Sequence, residues 1–389
     1  MLDLLKPFRI LDASTIVMGP MAGQVLGDLG AEVIKLEPPA GDLARSSGTR
    51  GPDGTGALFA NNNRNKLGVV ADLKTSEGQE ILGELLDHSD VVLHNMRPAA
   101  ARRVGLDAET VRQGRPRLIH CAATGYGSDG PYAGRPAYDD IIQAAGGLAA
   151  LPTRVGAEPA YVPTIVADKI GGLHILYAIL AALLSRERTG QGQAIEVPMF
   201  ECLVAFLMNE HLDAASFDPG GRPGYVRLLN PSRRPYATAD GWLSVMPYDE
   251  RHWRAVLDAM GETGIPSEPW FGDPAQRNAR SDRLYHRLAT GLTQKSTEAW
   301  IAIFEAKDIP YARVAGIDDL LSDPHLSAQN FFAASDDLPG RVRSVPLPVR
   351  FGGVPQGRDH AAPGLGSHTA EVLRRLGEEV PRVGPRTTE

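Results

Sequence analysis

Apolar and polar positions alternate along the first half of the chain in two different rhythms. Arg9–Ala13 (RILDA) has the short, extended texture of a strand, and Met21–Leu29 follows with helical spacing behind Gly19-Pro20. Gly30 ends that segment, and Glu32–Leu36 (EVIKL) predicts the next strand. The alternation recurs as strand Leu67–Leu73, helix Ser76–His88 and strand Asp90–His94. Within the helix, Ile81, Leu82, Leu85 and Leu86 share one face. Arg117–Ala123 (RLIHCAA) and Gln193–Val197 predict two further strands, the second followed by a helix over Met199–Leu212. Strands alternating with helices predict a parallel sheet covered on both faces, an α/β fold.

The texture changes after residue 217. Asp218–Pro235 is rich in Pro, Gly and Arg and predicts a crossover or linker. Arg234–Met246 predicts a hairpin turning at Asp240-Gly241, and Arg251–Met260 and Arg283–Phe304 predict helices. The tail from Arg341 is Pro- and Gly-rich and closes in an amphipathic helix, Thr369–Leu376. The expected organisation is a large domain over 1–215, a smaller α+β domain over 225–330, and a segment 335–389 that returns to the first.

Composition narrows the classes. The 389 residues carry 40 Lys+Arg against 47 Asp+Glu, a formal charge of −7. That balance argues against a nucleic-acid partner. Cys121 and Cys202 are too few for a disulfide framework or a Cys-rich zinc site, and they fit a reducing, cytoplasmic setting. The longest apolar run, Leu173–Leu184, is too short to cross a bilayer and predicts a buried helix, so no membrane partner is expected. The ten histidines show no H-E-x-x-H spacing and no metal site is expected. The loop after the first predicted strand, Asp12–Pro20, has neither G-x-G-x-x-G nor a Walker sequence, which disfavours a conventional NAD or ATP site. A G-x-S-x-G elbow is also missing.

Asp168 stands out among the ionisable residues. An extended apolar stretch leads into it and an almost wholly apolar helix leads out. Two readings stay open: a helix N-cap, where Asp is favoured, and a poorly hydrated carboxylate nucleophile. The following Gly171-Gly172 pair would let a bulky substrate approach the backbone. Lys66, Lys74, Arg97 and Arg103 lie near predicted strand ends, where a phosphate-bearing ligand could meet them or where they are simply solvated. Tyr138-Asp139-Asp140 opens a helix after a turn-rich loop, and an aspartate there also suits a cap.

Several segments, taken in order, resemble the family III coenzyme A transferases. They are LDASTIVMGPMAGQVLGDLGAEVIKLE, GDLAR (41–45), NRNK (63–66), ADLKTSEG (71–78), HNMRP (94–98), RPAYDDIIQA (135–144), VADKIGGLHILYAILAALLSRERTGQGQ (166–193) and LGSHTAEVLRRLG (365–377). The resemblance implies a Rossmann-like large domain, an inserted small domain and an interlocked homodimer. It implies an acyl-CoA:carboxylate CoA-transferase (EC 2.8.3-type) with coenzyme A as co-substrate, no resident cofactor, and an acyl-CoA and a small carboxylic acid as partners. Asp168 falls at the catalytic aspartate, which forms an aspartyl mixed anhydride and then an aspartyl-CoA thioester. CoA contacts fall at Ile16, Val17, Met18, Asn63, Lys66, Lys74, Asn95, Arg97 and Arg103. Tyr138 and Asp139 become substrate contacts, and the Gly171 and Gly172 amides become candidate oxyanion donors.

The α-methylacyl-CoA racemase of the same superfamily has a histidine before the aspartate where this chain has Tyr138. A phenol of pKa about 10 is a poor base at neutral pH, which favours the transferase. The glycine run of formyl-CoA transferase is missing from residues 230–300, which argues against formyl and oxalate substrates. The alternatives are the racemase or epimerase on the same fold and a non-catalytic CoA-ester-binding protein.

Overall fold

The computed structural model describes residues 2–332, 334–335, 342–352 and 360–382. Six parallel strands form the main sheet: β1 (Arg9–Asp12), β2 (Glu32–Glu37), β3 (Lys66–Val70), β4 (Val91–His94), β5 (Ile119–Thr124) and β6 (Ala194–Pro198). Their order is β3-β2-β1-β4-β5-β6. The chain therefore reverses direction across the sheet between β1 and β4, and in open α/β sheets ligands bind beyond the carboxyl ends of the strands at such a reversal. The first four strands are buried almost throughout, as a sheet with covered faces requires.

Around the sheet lie α1 (Met18–Asp28), α2 (Ala57–Asn63), α3 (Ser76–Asp87), α4 (Pro98–Arg103), α5 (Ala108–Arg112), α6 (Asp139–Ala145), α7 (Val166–Thr189) and α8 (Met199–His211). Strand β3 is shorter than predicted, ending at Val70. Helix α1 starts three residues before the predicted Met21. Pro20 still sits in its first turn, where a missing N–H costs nothing.

Helix α7 is the one described helix long and apolar enough to cross a bilayer. It packs instead as a core helix: Ile170, Ile175, Ile179 and Leu183 are buried, and so is Arg186, which pairs with Asp90 at 3.0 Å. Gly171 and Gly172 let α1 come close. A Cβ on Gly172 would lie 2.9 Å from the Met18 carbonyl oxygen, and one on Gly171 would lie 2.4 Å from Met18 Cε.

The chain divides into two compact units, 1–149 with 161–207 and 330–389, and 150–160 with 208–329. In the second, β7 (Tyr236–Ala237), β8 (Trp242–Val245) and β9 (Tyr311–Arg313) form an antiparallel sheet. The predicted turn at Asp240-Gly241 joins the first two. Helices α9 (Glu250–Ala259), α10 (Pro274–Ala279), α11 (Ser281–Gly291) and α12 (Thr297–Ala306) surround a core that includes Trp253, Phe271, Leu288, Trp300 and Phe304. The single helix predicted over Arg283–Phe304 is thus two. It breaks at Gly291, and Ser296 recaps the chain by accepting the Ala299 N–H at 3.3 Å. A short helix α13 (Pro324–Ala328) follows, and α14 (Thr369–Gly377) returns to the first unit, where Val372 and Leu376 enter the core.

Candidate active site

The loop from Ala13 to Val17 joins the end of β1 to the start of α1. Each step of its backbone is held. Asp12 accepts the Ser14 N–H at 3.0 Å and also the Ser14 hydroxyl. Asn95, just past β4, accepts the Thr15 N–H at 2.9 Å and donates to the Thr15 carbonyl at 2.8 Å. Asp42 accepts the Ile16 N–H. Ile16 adopts φ +71°, left-handed backbone that a β-branched residue rarely takes.

Helix α1 has no side-chain cap of its own. Asp168 supplies one from α7: its Oδ1 accepts the Met18 N–H at 3.2 Å. This corrects the N-cap reading of Asp168. Helix α7 begins at Val166, so Asp168 lies in its first turn rather than before it. The cap of α7 comes from α6, where Asp139 Oδ2 accepts the Ala167 and Asp168 N–H groups at 2.6 and 3.2 Å. Gln143, one turn on from Asp139, donates to its Oδ1 at 2.5 Å and accepts the Val162 N–H at 2.9 Å.

The Asp168 carboxyl is pushed up to about 6. Burial is the main cause, the neighbouring Asp139 charge adds to it, and the Met18 N–H opposes both. A carboxylate of this kind is still mostly ionised at neutral pH, yet it is more basic and less hydrated than a surface aspartate.

The remaining expected site residues fall into three groups. Asn95, the Ile16–Met18 backbone, Asp168 and Asp139 are linked by hydrogen bonds around the loop that follows β1. Lys74, Arg97 and Arg103 are exposed: Arg97 precedes α4, Arg103 closes it, and Lys74 lies before α3. Lys74 follows β3, three strand positions from β4, or roughly 14 Å at the usual spacing. Lys66 and Asn63 turn inward. The Lys66 ammonium is fully buried and donates to Asp12, the Pro20 carbonyl and Asn63 Oδ1 at 2.8, 2.8 and 2.9 Å. Burial pushes it down to about 8, while Lys66 and Lys35 hold Asp12 below its ordinary value despite burial. In this arrangement Lys66 braces β1 and α1 and is closed to a phosphate, a correction to its expected place in a cationic cluster.

The glycine pair is corrected too. Gly171 and Gly172 lie past the first turn of α7, where amides are taken by carbonyls four residues back, and α1 rather than a substrate makes the close approach. Tyr138 precedes α6 with its ring 73% exposed. His94, the last residue of β4, and His120, near the start of β5, have Nε2 atoms 2.9 Å apart, and burial pushes His94 down to about 3. Burial lowers His120 as well. Among the described residues no group of three or more His, Cys, Asp or Glu could hold a metal ion.

Sequence reasoning missed Lys35, Asp42 and Gln143. A signal existed for the first: a lysine inside the apolar strand EVIKLE has to find a buried counter-charge. Gln143 could have been paired with Asp139 by its spacing of four on a helix.

Comparison with known proteins places this geometry in a family. The model of CoA-transferase family III matches residues 5–369. A succinate–glutarate CoA-transferase of Agrobacterium fabrum is 30% identical over 96% of this chain and 95% of its own length. The probable fatty acyl-CoA transferase Rv3272 of Mycobacterium tuberculosis is 30% identical over 95% of this chain and 98% of its own. The crystal structure of a CAIB/BAIF family protein from Brucella suis matches with a TM-score of 0.79 and 29% identity, covering 95% of this chain and 98% of that one. With a family match over residues 5–369 and relatives 30% identical over nearly their whole length, this chain, an α/β protein, belongs to CoA-transferase family III.

Proposed function

We propose that the protein moves CoA from an acyl-CoA donor to a free carboxylic acid, with Asp168 as the nucleophile. The observation that carries the reading is the Asp168 carboxylate, raised to about 6 and hydrogen-bonded through Oδ1 to the first amide of α1. Oδ2 then attacks the thioester carbonyl carbon. The C–S bond breaks, CoA thiolate leaves, and a mixed anhydride joins Asp168 to the acyl group. The thiolate next attacks the aspartyl carbonyl, giving an aspartyl-CoA thioester and the free donor acid. The acceptor carboxylate attacks the aspartyl carbonyl of that thioester, the C–S bond breaks, CoA thiolate leaves and a second anhydride forms. CoA thiolate attacks the acceptor's acyl carbon and releases Asp168 as it began. No net proton is consumed. Splitting one acyl exchange into such steps is what covalent catalysis does. The Met18 N–H stays on Oδ1, which is the carbonyl oxygen of each aspartyl intermediate, and polarises it for attack.

The CoA phosphates meet Lys74, Arg97 and Arg103, and the thioester end lies along Val17 and Met18. The protein works as a homodimer in the cytoplasm. Support for a dimer comes from the outer face of α7, where Leu173, Tyr177 and Leu184 are 56%, 59% and 68% exposed.

The test incubates the protein with acyl-CoAs and free acids, including dicarboxylates and fatty acids, and follows exchanged CoA by mass spectrometry. Transfer by the wild type, with a CoA adduct on the Asp168 peptide, is expected. Wild-type rates in Asp168→Ala would remove Asp168 from the mechanism. Deuterium entering the α-carbon of a 2-methylacyl-CoA faster than CoA transfer would favour a racemase.

A further inference from the structure

Left-handed backbone at a β-branched residue is strained and persists only where its surroundings hold it. At Ile16 the holder is identifiable. Both oxygens of Asp42 accept the Ile16 N–H, at 3.1 and 3.2 Å. Asp42 Oδ1 also accepts the Ala44 N–H at 2.9 Å, and its Oδ2 pairs with Lys35 Nζ at 3.0 Å. Lys35 donates in turn to the Ser14 carbonyl. The two side chains are fully buried. One ion pair therefore grips the loop at Ser14 and Ile16, while Asn95 grips Thr15 between them from the β4 side.

A fully buried ion pair is a poor way to gain stability, because desolvation consumes most of the attraction. It is a good way to fix geometry when each partner has a second bond to the same loop. Two residues beyond Ile16 lies Met18, whose N–H contacts Asp168. A peptide rotation at Ile16 would carry that N–H away.

We propose that Asp42, with Lys35 as its counter-charge, is a positioning residue that locks Ile16 in its left-handed conformation and so keeps the Met18 amide on the catalytic carboxylate. This rests on the reading of Asp168 as the nucleophile. It gives Asp42 an effect that general loosening of the fold would not produce. The charge facing Asp168 from α6 is Asp139, and from α1 comes the Met18 N–H; on its own helix, Lys169 is exposed and donates to Thr164 at 2.8 Å. Losing the Met18 N–H leaves burial and Asp139 unopposed, so Asp168 needs a higher pH to ionise.

Asp42→Ala alone would strand the Lys35 charge, so the comparison is between K35M/D42A and K35M/D42N. Both remove the ion pair, and only the second keeps an acceptor for the Ile16 N–H. Amide exchange of the peptide covering residues 13–18, followed by mass spectrometry, reads the loop directly. In K35M/D42A it is expected to speed up about tenfold or more. Turnover number for CoA transfer is expected to fall about 10- to 100-fold, with the acid limb of its pH profile moved to higher pH. K35M/D42N is expected to recover much of both losses. Asp42→Asn alone, which removes the counter-charge but leaves Lys35 and the Ile16 N–H a side-chain oxygen to donate to, serves if the double variants do not fold, and shifts the limb in the same direction by less. Wild-type protection of the loop in folded K35M/D42A, or an acid limb unmoved in every Asp42 variant, overturns the proposal. Folded wild type that transfers no CoA overturns the Asp168 reading instead, and the loop exchange then decides the clamp alone.

Discussion

At the residue scale, the raised Asp168 carboxyl costs the folded chain stability. Its carboxyl sits at about 6 in the folded chain against an ordinary 3.8, because burial and Asp139 disfavour the charge. Below about pH 4 both folded and unfolded forms are protonated and the group is neutral to stability. Between about 4 and 6 the unfolded chain releases its proton first, so stability falls as pH rises. Above about 6 the deficit is complete. Asp168→Asn is therefore expected to abolish transfer and to melt higher than the wild type at pH 7, by roughly 1–2 kcal/mol. The gain is expected to vanish towards pH 4. A residue acting only as a helix cap predicts no such gain, so melting curves at pH 4, 5.5 and 7 separate the two roles. As the proposed nucleophile, the same carboxyl is expected to set the acid limb of wild-type turnover near pH 6 rather than near 4.

At the scale of elements, caps are supplied across helices: Asp139 of α6 holds the first turn of α7, and Asp168 of α7 holds the first turn of α1. The arrangement depends on how near α1 and α7 can come. Gly172→Ala places a methyl 2.9 Å from the Met18 carbonyl, a backbone atom that cannot swing aside. We expect a loss of about 1–3 kcal/mol from this overpacking. Turnover is expected to fall roughly tenfold or more, because the shifted residue, Met18, also carries the N–H on Asp168. Gly171→Ala meets the mobile end of Met18 instead and is expected to cost less on both counts. Equal melting temperatures and rates for the two variants would contradict this account.

For the whole molecule, charge and exposed apolar surface matter most. A net charge of −7 repels CoA, so local cations have to bind its phosphates. Arg103→Glu is expected to raise the KM for acyl-CoA several-fold and leave the KM for the free acid nearly unchanged. Added salt is expected to weaken acyl-CoA binding in the wild type, since exposed charges are screened beyond about 8 Å at physiological ionic strength. A change in the acid's KM alone would place the CoA elsewhere. On α7, a buried face packs on α1 and the sheet while Leu173, Tyr177 and Leu184 remain in solvent. Leu184→Glu is expected to shift sedimentation from dimer towards monomer at low micromolar concentration. A wild type that sediments as a monomer would end the dimer reading.

The strand–helix alternation was legible in the sequence because each element declares itself locally: extended apolar runs such as EVIKL, a helical face at Ile81, Leu82, Leu85 and Leu86, and a glycine after α1. Asp168 was legible for a related reason, being a lone carboxylate in an apolar setting. What it does there was not. Its cap relation to α1 and its debt to Asp139 link residues 150 and 29 positions apart in the chain, and no local pattern encodes such pairs. Lys66 and Lys74 read alike as cations near strand ends, yet one is sealed against Asp12 and the other is exposed. Tertiary structure decides such cases because the worth of a charge depends on what surrounds it. A sequence names the charged groups, and only the fold sets their dielectric, their partners and their reach.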